Sequence, residues 1–288
     1  MKRLLLRALV LTACATAKET PMSTSTMKSG YAPVNGLQLY YEIRGAGDPL
    51  VVLHGAFGST ENLTPDLEGL AKTRRVIAVD LQGHGRTADV DRAMTCQAMA
   101  DDVGALIAHL GLPQVDVLGY SLGGGVAIQT GLRHRDRVRK LVVVSMAFAR
   151  RAVFPEVIAG FDAIGAQLAE VMKPSPIYQT YQKVAPRPQD FPRLLDKVGA
   201  LVKQDYDWTA EIGKLPPTLL VAADADYYPL SHVLEVYAAL GGSAKDPGWD
   251  GSAGRSASQL AILPGTSHYD ILMSPQLVPV VQRWLERP

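Results

Sequence analysis

Cysteine is almost absent from this chain. Cys14 and Cys96 are the only two in 288 residues, too few for a disulfide framework. Paired metal-ligand spacing is missing too: the two cysteines and six histidines fall in no recognisable ligand pattern, so neither a metal nor another cofactor is expected. No uninterrupted apolar run reaches the roughly 20 residues that a bilayer-spanning helix needs. Charge of one sign is lacking as well. The 29 basic and 28 acidic residues are interspersed and leave a net +1, and no Lys/Arg run offers a nucleic-acid footprint. No segment repeats itself. What is present is a 47% hydrophobic composition, enough for one large domain or for a domain with a subdomain inserted in it.

The first 29 residues stand apart. Lys2 and Arg3 precede Leu4-Leu5-Leu6, and Ala8 to Ala13 lead to Cys14. A basic start, a short apolar core and small residues before a boundary have the form of an export signal. Leu11-Thr12-Ala13-Cys14 is similar to a bacterial lipobox, which implies lipidation at Cys14 and a place in the cell envelope or periplasm, with the membrane met only through that lipid. Arg7 interrupts the apolar run, and Met22 and Met27 offer later starts for a cytoplasmic protein. Both readings stand, and in both residues 1–29 lie outside the fold.

From residue 30 the pattern is regular. Tyr31 to Val34 and Leu37 to Ile43 alternate around Asn35-Gly36, the pair that supplies the positive φ angles of a two-residue hairpin turn. Continuous apolar runs follow at Leu50–Leu53, Val76–Val79, Val115–Leu118, Leu141–Val144, Thr218–Ala222 and Leu260–Leu263. Runs of this length suit strands buried on both faces of a parallel sheet. Helical segments separate them. The spacing predicts one helix over 95–110, with Cys96 packing at its start. It predicts another from Ser274 as N-cap, with Pro275 at the first helical position, to Trp284. The fold class is therefore α/β: a mostly parallel twisted sheet with helices on both faces.

The alternation stops between 147 and 214. Helical spacing from Phe154 to Met172, then shorter pieces divided by Pro174, Pro176, Pro186, Pro188 and Pro192, predict a helical cap inserted into a core made of 30–146 and 215–288. Residues 241–258, rich in Gly, Ser and Ala, read as a mobile surface loop long enough to affect access to the C-terminal part of the site.

Chemistry concentrates at strand ends. Gly119-Tyr120-Ser121-Leu122-Gly123 joins an apolar run to a small-residue helix, so the chain turns sharply with Ser121 at the bend. Ser121 is the nucleophile candidate. His268 directly follows the last strand and Pro264-Gly265-Thr266-Ser267, at the sheet edge where open α/β sheets build their sites; it is the candidate base. Asp224 and Asp226 both follow the strand before it. Asp226, farther along on the turn toward Pro229, is the chosen orienting acid, and Asp224 is the rival, with satisfaction of backbone donors as its other role. No carboxylate occurs at Ser145-Met146 after the earlier strand. Oxyanion donors are expected from the N–H of Leu122 and, in the His54-Gly55-Ala56-Phe57 loop, from Ala56, with Phe57 the second choice. His109, His134 and His232 fall in helical stretches and read as surface residues.

These motifs together resemble the α/β-hydrolase fold family, in its capped bacterial serine-hydrolase form, from about residue 30 to the C-terminus. The resemblance rests on His54-Gly55, on Asp80-Leu81-Gln82-Gly83-His84-Gly85-Arg86-Thr87, on the turn at Ser121, on Asp226, and on Pro264 to His268, in the chain order serine, acid, histidine. It implies that His54 and His84 play supporting roles. It also implies a small-molecule, ester-like substrate hydrolysed through an acyl-enzyme, with lactone, amide, carbon–carbon and perhydrolase chemistry open to the same triad. A non-catalytic binding protein on this scaffold is the remaining alternative. Dehalogenases and epoxide hydrolases of this fold use an aspartate where this chain has Ser121. Ala223, where relatives often carry Gly, is a minor departure. Phe57, Tyr120, Phe148, Phe154, Phe161, Tyr178, Tyr181 and Tyr269 are candidates for lining an apolar pocket.

Overall fold

The computed structural model describes residues 27–251 and 253–287; the leader reading, with Cys14 and Met22, lies outside them up to residue 26, whereas Lys28 and Ser29, expected to fall outside the fold, pair with Ile43 and Glu42 in the first strand. Eight strands join in one sheet: β1 (Lys28–Val34), β2 (Leu37–Arg44), β3 (Pro49–Leu53), β4 (Arg75–Val79), β5 (Val115–Tyr120), β6 (Val138–Val144), β7 (Thr218–Ala225) and β8 (Gln259–Ser267). Their order is β1-β2-β4-β3-β5-β6-β7-β8. Every pairing from β4 to β8 is parallel, and the β1–β2 hairpin is added antiparallel at one edge. Its turn has φ of 46° at Asn35 and 81° at Gly36, as a two-residue turn of this hand requires.

Nine α-helices are described: α1 (Thr64–Leu70), α2 (Cys96–His109), α3 (Leu122–Arg133), α4 (Pro155–Asp162), α5 (Ala169–Met172), α6 (Pro176–Val184), α7 (Phe191–Val202), α8 (Leu230–Ala239) and α9 (Leu277–Leu285). The period-2 alternation of the strands decides which of them each side chain meets. Val51, Leu53, Ile77, Val79, Val117 and Val143 join one core with Met99, Val103, Val126 and Ile128 of α2 and α3. Leu50, Val52, Val76, Ala78, Leu118 and Val142 join a second core with Leu67 of α1 and Val281 and Trp284 of α9. The continuous apolar runs are thus buried on both faces.

Helices α4 to α7 all fall between β6 and β7, with a single isolated bridge, Ala149 to Asp207, among them. This helical insertion is tied to the core through Asp89. Its carboxylate accepts from Lys197 Nζ (2.8 Å) and Arg193 Nε (2.6 Å), both on α7, and from Gln82 Nε2 (2.8 Å). Burial alone would push the Asp89 carboxyl up; these hydrogen bonds outweigh it and hold the group below the usual carboxylate range.

Three local expectations are corrected. The C-terminal helix begins at Leu277, not after Ser274: Leu277 N–H donates to Ser274 O, so the chain first makes a tight i→i−3 turn. The stretch Pro264–Ser267, expected to lie beyond the last strand, continues β8, because Asp224 accepts Gly265 N–H (2.8 Å) and Thr266 N–H (3.0 Å) and Ser267 then pairs with Ala225. His232 is buried and not on the surface, accepting Phe148 N–H on Nε2 at 3.1 Å.

Two other histidines hold the strand ends in place. His54 is fully buried after β3; its Nδ1 lies 2.7 Å from Gly55 O and its Nε2 accepts Leu81 N–H at 3.1 Å. One nitrogen must donate and the other must accept, so the ring works only when neutral. His84, 5.1 Å away between ring centres, donates from Nδ1 to Gln82 O. Burial lowers His54 to about 4, and burial together with His54 lowers His84 to about 3. Asp80, raised to about 6 by burial, acts in the opposite sense on acidification.

A pH-dependent stability follows for the two histidines. Their folded pKa values lie below 6.5, so between pH 6.5 and about 4 the unfolded chain takes up protons that the folded chain refuses, and stability is lost as the pH falls. His84→Asn keeps a donor and does not titrate in this window. In denaturant unfolding at pH 7 and pH 4.5, it should reduce the acid loss by about 2 kcal/mol relative to wild type. Parallel losses in the two proteins would contradict a buried neutral His84.

Candidate active site

Ser121 sits between β5 and α3 with φ 53° and ψ −121°, a conformation that costs a non-glycine residue roughly 1–3 kcal/mol. The surroundings impose it. A Cβ on Gly119 would lie 2.0 Å from Gly123 O, and one on Gly123 would lie 2.4 Å from Leu53 O and 2.5 Å from His54 O. The first turn of α3 can press onto β5 and β3 only because both positions lack side chains. Ser121 N–H donates to Val144 O (3.0 Å) and Ser121 O accepts from Gly125 N–H (3.1 Å), so the bend is anchored on both sides.

The structure brings the three residues singled out from different strand ends into one hydrogen-bonded line. Ser121 Oγ is 3.1 Å from His268 Nε2, and His268 Nδ1 is 3.2 Å from Asp226 Oδ1. An ionised carboxylate only accepts, so His268 carries its proton on Nδ1 and leaves the Nε2 lone pair facing the serine hydroxyl. Asp226 has a fully buried side chain. Besides His268 it accepts Tyr227 N–H (2.9 Å) on Oδ1, and Ser145 Oγ–H (2.7 Å) and Ala223 N–H (3.2 Å) on Oδ2. Burial would raise this carboxyl, but the hydrogen bonds from His268, Ser145 and the Tyr227 N–H outweigh it and hold it below the ordinary range. Asp224 serves backbone donors of β8 instead, so the two aspartates do different work.

His268 is held by tyrosines. Tyr120 stacks on its ring at 5.3 Å and donates its hydroxyl to His268 O (2.7 Å), while Tyr227 meets the ring edge-on at 4.5 Å. Gly55 makes room for this, because a Cβ there would meet the Tyr120 ring at 2.9 Å. Ser145 is a residue that sequence reasoning missed. It directly follows β6 with φ 48°, and the only trace of its role in the sequence is a serine just past an apolar run.

Among the described residues no acceptor takes the N–H of Leu122 or of Ala56, and both residues line a chamber of about 650 Å³ beside Ser121. Gly58 N–H bonds to Gly55 O (3.1 Å) with φ 60° at Phe57, the pattern of a type II turn that carries Ala56 at its second position.

Of the aromatic candidates, Phe57, Tyr120, Phe161 and Tyr269 line the chamber. The other four do not. Phe148 is buried in the core, and Phe154 caps the start of α4 with over a third of its surface exposed. Tyr178 and Tyr181 pack on Phe191 at 5.0 and 5.2 Å, joining α6 to α7. Their neighbour Ile177 faces the chamber in their place, and Cys96, Met146, Tyr206 and Trp208 also form its walls. Among the described residues the 241–258 segment contributes no wall residue.

Among the described residues no group of three or more His, Cys, Asp or Glu side chains could hold a metal, and no helix is long and apolar enough to cross a membrane.

Comparison with known proteins agrees with this fold. A family model described as the alpha/beta hydrolase fold matches residues 48–229. The chain is 38% identical over 118 residues to a soluble epoxide hydrolase of Corynebacterium sp. (strain C12), which is 40% of each chain. It is 33% identical over 136 residues to 2-hydroxymuconate semialdehyde hydrolase of Pseudomonas sp. (strain CF600), covering 45% of this chain and 46% of that one. The chain thus spans less than half the length of these relatives. A carboxylesterase structure from Bacillus subtilis superposes with a TM-score of 0.68 at 19% identity, over 91% of this chain and 92% of that one. At that identity the likeness speaks for the fold.

Two substitutions test the carboxylate assignments. Asp226→Asn should lower a hydrolytic kcat by about 10³–10⁴ through loss of the required imidazole tautomer, whereas Asp224→Asn should cost less than about tenfold; the reverse order would move the orienting role to Asp224. Ser145→Gly accommodates φ 48° and removes only the hydroxyl. It should lower kcat about tenfold and move the acidic limb of the kcat/KM–pH profile upward, because an Asp226 carboxylate with one donor fewer draws a proton onto the His268–Asp226 pair more strongly. A lower rate with an unmoved profile would make Ser145 merely structural.

Proposed function

The chain belongs to the alpha/beta hydrolase fold family, and from that premise we propose that it is a serine hydrolase of carboxylic esters that works through an acyl-enzyme on Ser121. The observation that carries this reading is the line from Ser121 Oγ through His268 to Asp226, at 3.1 and 3.2 Å, opening on the chamber.

In this reading Ser121 Oγ attacks the ester carbonyl carbon as its proton passes to His268 Nε2. The carbonyl electron pair moves onto oxygen, which is received by the Leu122 and Ala56 N–H groups; one such donor is worth about 10²–10³ in turnover. The tetrahedral adduct collapses, the alkoxy group leaves with the proton from His268, and an alcohol departs. Water then adds to the acyl-serine, giving its proton to His268, and Ser121 leaves and recovers that proton as the carboxylic acid is released. Asp226 stays ionised throughout and stabilises the imidazolium that forms twice in each cycle. The helical insertion acts as a cap, roofing the chamber with α4 and α7.

Ester hydrolysis is preferred to amide hydrolysis on the same residues because an alcohol is the easier group to expel. Epoxide opening by an aspartate at this bend has no carboxylate to use at residue 121.

The reading is tested with p-nitrophenyl acetate and butyrate. Wild type should release p-nitrophenol catalytically, and Ser121→Ala should lose about 10³-fold or more of kcat. Turnover unaffected by Ser121→Ala, or none across short esters, lactones and amides, would exclude it.

A further inference from the structure

The floor of the chamber is built around Gly125, one helical turn beyond Ser121. A Cβ on Gly125 would lie 3.0 Å from Cys96 Sγ, 3.2 Å from Met146 Cε and 3.4 Å from the Trp208 ring. Three side chains from separate parts of the chain therefore converge on a position where the helix has none, and all three face the chamber. Trp208 is fixed there by stacking on Tyr206 at 4.5 Å. The Cys96 thiol, pushed up to about 12 by burial, is uncharged and behaves as apolar surface. Above this floor the walls are Val157 and Phe161 of α4 and Val198, Leu201 and Val202 of α7. A volume of about 650 Å³ would hold on the order of 20 waters at ~30 Å³ each. An acetyl group would leave nearly all of that water against apolar walls.

The charged groups set a second condition. Among the described residues Arg150 is the one guanidinium on the wall, and it is already engaged: Nη2 bonds Asp162 Oδ1 at 2.9 Å and Nε bonds Val202 O at 3.2 Å. Glu156 and Asp205 also line the chamber, both exposed, and among the described residues no cation pairs with either. A substrate carboxylate would thus lose its water and meet two like charges with no free cation to receive it.

Resting on the hydrolase reading above, we infer that the substrate is a neutral, carboxylate-free ester with one bulky branched or aromatic group beside the scissile bond, seated on the Cys96–Met146–Trp208 floor. A methylene that reaches an apolar wall is worth about tenfold or more in kcat/KM, so the preference should be large.

The test measures kcat/KM in two series, each value normalised to the ester's alkaline hydrolysis rate. One series puts the bulk on the acyl side (p-nitrophenyl acetate, isobutyrate and benzoate), the other on the alcohol side (methyl, isobutyl and benzyl acetate). Wild type should favour the bulkiest member of at least one series by about tenfold or more, and Trp208→Leu should shrink that preference severalfold. p-Nitrophenyl benzoate should exceed its 4-carboxy analogue by about tenfold or more, and the Glu156→Gln/Asp205→Asn double variant should narrow that gap. Preference for the smallest member in both series, or for the carboxylate ester, overturns the inference. Labelling of Ser121 by a fluorophosphonate separates the two levels. Turnover and labelling with reversed selectivity reject this inference alone, whereas no turnover and no labelling reject the hydrolase reading and this inference with it.

Discussion

The close approach of α3 to the ends of β3 and β5 is the constraint from which the rest of the site follows. Gly119 and Gly123 leave no room for side chains, and between them Ser121 is held at φ 53°. A relaxed backbone would turn the hydroxyl toward the sheet or lengthen the bend. The strained one, anchored to Val144 O and Gly125 N–H, lifts it toward the edge where β7 and β8 deliver Asp226 and His268. The strain is local and modest, and the surrounding two-sided core is large enough to sustain it.

A second feature is the close matching of two buried polar groups around this bend, Asp226 and His54. The Asp226 side chain is wholly buried yet has four donors. His54 uses one ring nitrogen to donate and the other to accept. A buried charge or imidazole with that many partners has one orientation, because any other leaves a desolvated group unpaired. The geometry near Ser121 is thereby fixed by hydrogen bonding, while the chamber above it is shaped by apolar packing under α4 and α7.

That division explains what was legible in the sequence. The parallel sheet was readable because strands buried on both faces leave continuous apolar runs. The meeting of Ser121, Asp226 and His268 was readable because each lies just past such a run, and parallel strands bring those ends to one edge. Side-chain direction inside the insertion was not readable in the same way. Tyr178 and Ile177 are adjacent in sequence, and which one faces the chamber depends on how α6 packs on Phe191. Phe148 and Trp208 are joined by a backbone hydrogen bond from Trp208 N–H to Phe148 O, yet only Trp208 lines the chamber. Ser145 was missed because its contribution depends on a positive φ that no neighbouring residue type announces. His232 was misplaced because its helix turns one polar position into the core, toward Phe148 N–H.

The central claim is that the strained serine forms a covalent bond with the substrate during turnover. Rapid-quench mass spectrometry during hydrolysis of a p-nitrophenyl ester tests it most directly. The account predicts an acyl adduct of the expected mass on the peptide containing Ser121, formed with a burst of p-nitrophenol approaching one equivalent per chain. Ester hydrolysis with no adduct at any time, or with the adduct on a different residue, would contradict it.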